Sequence, residues 1–201
     1  MQLCQIDAAE LAAQMPQDGW AQHYSSYNKR RSWTAMALRG FGDEAFVEKP
    51  AEMSRRWREQ HPEMLRARCA DTPLRARLPA VEPILSALGS PRLERVRLMA
   101  LDPGGGELAR HADLTDHDAG LARHQLCRIH VPLETNPGCE FTTWRLADGR
   151  ATRTHMEAGH AWLLDHTKPH AAINAGSQRR VHLVIDAWVD ATLDDLIGRA
   201  A

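Results

Sequence analysis

From residue 93 to residue 189 the chain is divided into short β-patterned runs at roughly ten-residue spacing, most of them closed by glycine, proline or asparagine. The runs are 93-LERVRLMAL-101, closed by Asp102-Pro103-Gly104-Gly105-Gly106; 107-ELARHAD-113; 125-QLCRIHVPL-133, closed by Asn136-Pro137-Gly138; 139-CEFTTWRL-146, closed by Asp148-Gly149; 160-HAWLLDH-166; and 180-RVHLVIDAWV-189. Short strands joined by tight turns pair with their neighbours in antiparallel fashion, so this half of the chain points to a barrel or jelly roll. The first ninety residues read differently, mainly as helix with one strand at 32-SWTAMALRG-40. Helical spacing runs through 51–69, interrupted by Pro62, and again through 79–88, which stops at Gly89-Ser90-Pro91. The expected organisation is one domain over 1–201. A helical part with one strand (1–90) packs on a mainly β core (91–190).

Composition narrows the function classes. With 43% apolar residues, 25% charged residues and a net charge of −1, the chain has no bulk attraction for nucleic acid or anionic lipid. The basic run Lys29-Arg30-Arg31 is short and reads as a solvated turn. No run approaches the roughly 18 apolar residues of a membrane helix, and the first residues carry no signal-peptide pattern. Four scattered cysteines, Cys4, Cys69, Cys127 and Cys139, form no C-x-x-C pair, so reduced thiols and a cytoplasmic setting are expected. The unusual feature is histidine: eight of the eleven lie from His111 to His170.

That density directs attention to 109-ARHAD-113. Residues two apart on a strand share a face, so His111 and Asp113 are placed to converge on one cation. A remote second imidazole would complete a 2-His-1-carboxylate facial triad, the donor set of non-haem Fe(II) oxygenases, which leaves coordination positions open. H-x-D alone is weak evidence. His170 follows the run 160–166 and is placed to return to the same barrel mouth, with His166 as its rival. Arg180 begins the strong strand 180–189, and a guanidinium suits a carboxylate such as the far end of 2-oxoglutarate. Alternation separates Arg180, which shares a face with His182 and Asp186, from Arg179, which faces with Val181, Leu183 and Ile185. Arg128 and His130 form a second pair on one face.

The motifs 109-ARHAD-113, 128-RIHVPLETNPGCEF-141, 159-GHAWLLDHTKPHAAINAG-176 and 179-RRVHLVIDAWV-189, taken in this order, resemble the aspartyl/asparaginyl β-hydroxylase family of Fe(II)/2-oxoglutarate dioxygenases. The segment 20-WAQHYSSYNKRRSWTAMALRG-40 is similar to the one that precedes the core in small bacterial members. The resemblance implies a double-stranded β-helix (a cupin-like jelly roll), with Fe(II) and 2-oxoglutarate as cofactors. It makes His111, Asp113 and His170 the catalytic iron ligands and Arg180 the clamp for the distal carboxylate. Arg128 and His130 would lie beside the metal-chelating carboxylate, with Arg128, Arg39 and Trp33 as substrate contacts. Asp113 is a departure from the animal protein hydroxylases, which lack that carboxylate, and it argues against a halogenase.

The implied reaction is hydroxylation by O2 of an unactivated C–H in an amino acid, a peptide or a carrier-bound substrate, with no nucleic-acid or membrane partner. A cupin-like metalloenzyme that does not use 2-oxoglutarate, or a non-catalytic acid-binding barrel, are the alternative readings. The remaining groups have plainer expected roles. His117, His124, His155 and His160 read as surface or turn residues, and His182 as structural. The tryptophans read as core, Asn174 as serving the turn before the last strand, and the triple glycine 104–106 as a turn.

Overall fold

The computed structural model describes residues 1–113 and 126–200. The expected surface residues His117 and His124, and Gln125 at the start of an expected strand, lie outside them. The strands are β1 (Gln2–Gln5), β2 (Ala21–Gln22), β3 (Trp33–Gly40), β4 (Ala70–Asp71), β5 (Leu93–Leu101), β6 (Gly106–His111), β7 (Leu126–Glu134), β8 (Cys139–Trp144), β9 (Ala151–Thr154), β10 (His160–Leu164), β11 (His170–Asn174) and β12 (Arg180–Trp188). Five helices accompany them: α1 (Ala9–Gln14), α2 (Arg55–Gln60), α3 (Pro73–Arg77), α4 (Val81–Ala87) and α5 (Ala191–Ala200).

The larger sheet runs β1-β10-β7-β12-β5-β3-β2, with β4 also paired to β3; the smaller runs β6-β11-β8-β9. All pairings are antiparallel. From β5 to β12 the chain therefore supplies β5, β7, β10 and β12 to one sheet and β6, β8, β9 and β11 to the other. This alternation is the winding of a double-stranded β-helix, and the fold is mainly β and cupin-like.

Two apolar layers hold it together. Trp33, Met99, Leu101, Leu164 and Val184 from the larger sheet meet Phe141 and Ala172 from the smaller one inside the barrel. On the outer face of the larger sheet, Val96, Leu98, Ile129, Val131, Leu183 and Ile185 pack under Leu11, Leu74, Ile84, Leu85 and Leu193. Strands buried on both faces read as near-continuous apolar runs, which is why β12 is buried from Arg180 through Ala187.

The N-terminal ninety residues depart from the helical expectation. They hold four strands, not one, with β1 extending the larger sheet beyond β10 and β2, β3 and β4 extending the other side. Within 51–69 only α2 is α-helical, capped by the Ser54 side chain, which accepts from the Trp57 N–H at 3.2 Å. It stops at His61, because the residue before Pro62 is driven out of helical backbone. The expected strand 107–113 ends at His111, so Asp113 lies just beyond the ladder. No helix among the described residues is long and apolar enough to cross a membrane.

The turns at one end of the barrel are tied by Asn174, which is fully buried. Its Nδ2 donates to the carbonyls of Leu101 (3.2 Å), Asp102 (3.2 Å) and Gln178 (2.8 Å). The glycine run 104–106 is part of the same lacing: Gly104 and Gly105 N–H groups donate to the carbonyls of Gly176 and Asn174. Gly106 cannot be replaced without distortion, since a Cβ there would sit 2.2 Å from the Asp102 carbonyl oxygen. Asn174→Ala should cost about 2–4 kcal/mol, because buried carbonyls lose their donor, measured by urea unfolding.

Candidate metal centre

His111 closes β6, His170 opens β11, and the two are direct cross-strand partners. The antiparallel register thus joins histidines that are remote in sequence. His111 Nδ1 lies 2.8 Å from the Ala109 carbonyl and His170 Nδ1 lies 2.9 Å from the Lys168 carbonyl. A carbonyl only accepts, so each Nδ1 carries the hydrogen and each Nε2 presents a lone pair. Asp113 Oδ1 is 3.4 Å from His111 Nε2. One ligand atom from each of His111, Asp113 and His170 lies within 4.8 Å of the others. Two imidazoles and one carboxylate oxygen fit a divalent first-row metal.

The surroundings fix these side chains. Tyr27 stacks on the His111 ring with centroids 4.4 Å apart, and Phe141 stacks on His170 at 5.7 Å. The Ala109 N–H donates to the Tyr27 carbonyl, which pins the N-terminal segment along β6. Arg128 donates to Asp113 Oδ2, leaving Oδ1 toward the histidines. Burial pushes the Asp113 carboxyl up, but Arg128 outweighs it and holds the group well below the usual range. Burial brings His170 down to about 4. The rival His166 enters through its backbone, accepting from the Asp113 N–H at 3.0 Å.

Arg128 reaches further. Its Nε donates to Asp186 Oδ1 at 2.7 Å, and Arg95 and Arg97 also converge on Asp186, at 3.0 and 2.8 Å. Three guanidinium groups thus share one fully buried carboxylate. Burial raises the Asp186 carboxyl, but Arg128, Arg97 and Arg95 together hold it well below the normal range. Arg128, read as a ligand contact, has its donors directed to two protein carboxylates.

Deeper along the same strand face, Arg180 is buried and donates to His182 Nδ1 at 2.8 Å. Among the described residues no carboxylate pairs with it, and burial lowers it to about 10. A buried guanidinium without an acid is costly unless an anion joins it, so the cavity fits an anionic ligand. His130 Nδ1 is 3.3 Å from His182 Nδ1, which places His130 beside this pair.

The other expected contacts fall elsewhere. Trp33 is buried and stacks on His23 at 3.7 Å. Arg39 is taken up by Asp71 and the Cys69 carbonyl, not by any triad residue. His155 is exposed and its Nδ1 bonds the Cys139 carbonyl. Sequence reasoning missed Tyr27, for which an isolated aromatic in a polar segment gives no signal. It also missed the role of Asp186, although alternation already set that residue on the Arg180 face.

The buried histidines make a pH test. Burial, followed by Arg97 for His23 and by Arg180 for His130 and His182, pushes all three imidazoles well below their usual value. The unfolded chain gains protons below pH about 6.5 while the native chain does not, so stability is full above that value and falls as pH drops. At roughly 1.4 kcal/mol per pH unit for each group, the metal-free protein should lose several kcal/mol between pH 7.5 and 5.5. Urea unfolding at the two pH values checks this; unchanged stability contradicts it.

No curated protein matches the chain. Similar solved structures include an apo non-heme monooxygenase (20% identity, TM-score 0.41), covering 57% of this chain and 55% of that one. The chain thus spans about half the length of that protein. A cupin domain from Bordetella pertussis is 20% identical, with TM-score 0.33, over 48% of this chain and 81% of that one. A predicted oxalate decarboxylase from Thermotoga maritima is 15% identical, with TM-score 0.33, over 52% and 74%. The family model for aspartyl/asparaginyl beta-hydroxylase matches residues 4–190, nearly the whole barrel and its N-terminal extension, and the chain belongs to that family.

Proposed function

We propose that the protein is an Fe(II)- and 2-oxoglutarate-dependent dioxygenase. It hydroxylates an unactivated C–H of an amino acid, or of an Asp- or Asn-like residue in a peptide or carrier-bound substrate. The observation that carries this reading is a His–Asp–His triad in the same barrel as a buried guanidinium with no acid partner among the described residues. A metal site alone fits many cupin-like chemistries; the unpaired Arg180 adds the requirement for a second, anionic reactant.

His111 and His170 would hold the metal through Nε2, and Asp113 through Oδ1. Bound iron supplies the dioxygen chemistry that no side chain offers. The remaining work belongs to the chain. The Ala109 and Lys168 carbonyls keep both imidazoles in the ligating tautomer. Arg128 holds Asp113 ionised and occupies its second oxygen. Arg180 takes the distal carboxylate of the co-substrate, with His130 beside the chelating end. Stacked Tyr27 and Phe141 restrict rotation of the ligand rings and exclude water from one side of each.

The test is succinate formation by purified protein supplied with Fe(II), 2-oxoglutarate and O2, screened across amino acids and peptides. Succinate should require both iron and 2-oxoglutarate and rise with the right substrate. Substrate conversion that needs iron but not 2-oxoglutarate overturns the co-substrate and leaves a cupin-like oxygenase.

A further inference from the structure

A second set of unmatched polar groups lies where the N-terminal segment meets the barrel. The side chains of Glu48 and His23 are each 8% exposed, and His23 Nδ1 stands 3.7 Å from Glu48 Oε1. That spacing is too long for a hydrogen bond. Burial, with Arg97 behind it, pushes the His23 imidazole well below its usual value, so it brings Glu48 no charge. The Tyr24 N–H donates to Glu48 Oε1, and among the described residues no lysine or arginine pairs with this carboxylate. Burial accordingly raises the Glu48 carboxyl. His23 Nδ1 and Arg97 Nε are also buried without a hydrogen-bond partner.

The fold sets these groups beside the metal centre. Trp33 on β3 stacks on His23 with centroids 3.7 Å apart, and Ala37 on the same strand pairs with Arg97 on β5. Arg97 acts electrostatically on both His23 and Glu48, and Asp113 is among the charges that act on His23. The segment that starts at His23 reaches Tyr27, whose ring lies on the ligand His111.

Their hydrogen-bonding needs are complementary to one kind of molecule. Glu48 accepts, and so does His23 Nδ1 in the tautomer with its hydrogen on Nε2. An ammonium, with three N–H groups and a positive charge, satisfies both and supplies the cation that Glu48 lacks. Arg97 gives its Nη2 hydrogen to Asp186 at 2.8 Å, which leaves the Nε hydrogen for another oxygen, best that of a carboxylate. A free α-amino acid carries both charges on one carbon. A residue inside a peptide carries neither, and an aminoacyl group on a carrier has lost the carboxylate.

We propose that Glu48 and His23 hold the ammonium, and Arg97 through Nε the carboxylate, of a free α-amino acid substrate. The proposal rests on the hydroxylase reading above and selects one of its substrate classes.

Isothermal titration of the Ni(II)-loaded full chain, with 2-oxoglutarate present and absent, tests it without turnover. The probes are the twenty L-amino acids, taken singly. At least one should bind, and its N-acetyl derivative and its carboxamide should each bind about 10- to 100-fold more weakly, as for a lost bond to a charged group. Glu48→Gln, whose amide oxygen can still accept from Tyr24, should weaken the amino acid by a similar factor. It should leave unchanged the binding of the analogous acid that lacks the amino group, which a merely structural role for Glu48 would not spare. Binding of none of the twenty overturns the proposal. Equal binding of the N-acetyl derivative or the carboxamide also overturns it, as does wild-type affinity for the amino acid in Glu48→Gln. Binding that passes these tests in a protein that forms no succinate from 2-oxoglutarate overturns the hydroxylase reading instead and leaves the amino-acid site standing.

Discussion

Asp186→Asn should cost about 3–5 kcal/mol of folding free energy, the range for breaking a buried ion pair from one side. The physical reason is the number of cations that depend on one carboxylate. Arg95, Arg97 and Arg128 all donate to Asp186, and all four groups are withdrawn from water to different degrees, Asp186 to 1% exposure. Burial and the neighbouring Arg95 already bring Arg97 down to about 9, although Asp186 works in the opposite direction. Without the negative charge, three guanidinium groups remain crowded in a poorly solvated space. Urea unfolding at pH 7.5 gives the number. The exposed pair Arg145–Asp148 is the control: Asp148→Asn should change nothing measurable, since water and salt screen it. A loss below about 1 kcal/mol for Asp186→Asn would mean that water already solvates the cluster.

His111→Ala should reduce succinate formation to background and weaken Fe(II) binding by more than about 100-fold, beyond the range for losing a supporting contact. The substitution removes one of three donors and uncovers the face on which Tyr27 stacks. It leaves the β6–β11 ladder in place, because the backbone pairing of residue 111 with His170 does not depend on the side chain. A folded variant with unaltered turnover would contradict the ligand assignment. His166→Ala is the paired control. Its side chain is outside the triad and only its carbonyl meets Asp113, so iron binding should survive.

The contrast between these two residues marks what the sequence made legible. The strands 93–101, 125–133, 139–146, 160–166 and 180–189 were readable from alternation and turn residues, and the structure places strands there. β9 was not, because Ala151–Thr154 is an edge strand with little burial and so has no apolar period. β11 was hidden by its small residues, HAAIN, although the topology hinges on it. β1, β2 and β4 are too short to show a period, and their pairing is set by distant strands. α5 carries a signal in the sequence, since Asp190 accepts from the Leu193 N–H as an N-cap.

At the site, the shared face of His111 and Asp113 and the inward face of Arg180 are legible from spacing and alternation, whereas the choice of His170 over His166 rested on the family resemblance. Arg95, Arg97 and Asp186 are not legible as site residues, because charged residues in a strand are normally read as its solvent face. Here that face lines the inside of the barrel. The partners of Arg128 depend on a three-dimensional convergence with no pattern along the chain.

The most direct measurement is an anaerobic titration of Fe(II) into the purified protein with and without 2-oxoglutarate, followed by visible absorption. A charge-transfer band should appear only when both are present, saturate at one of each per chain, and be absent in His111→Ala. A band that forms without 2-oxoglutarate, or persists undiminished in His111→Ala, would contradict an iron centre built on His111, Asp113 and His170.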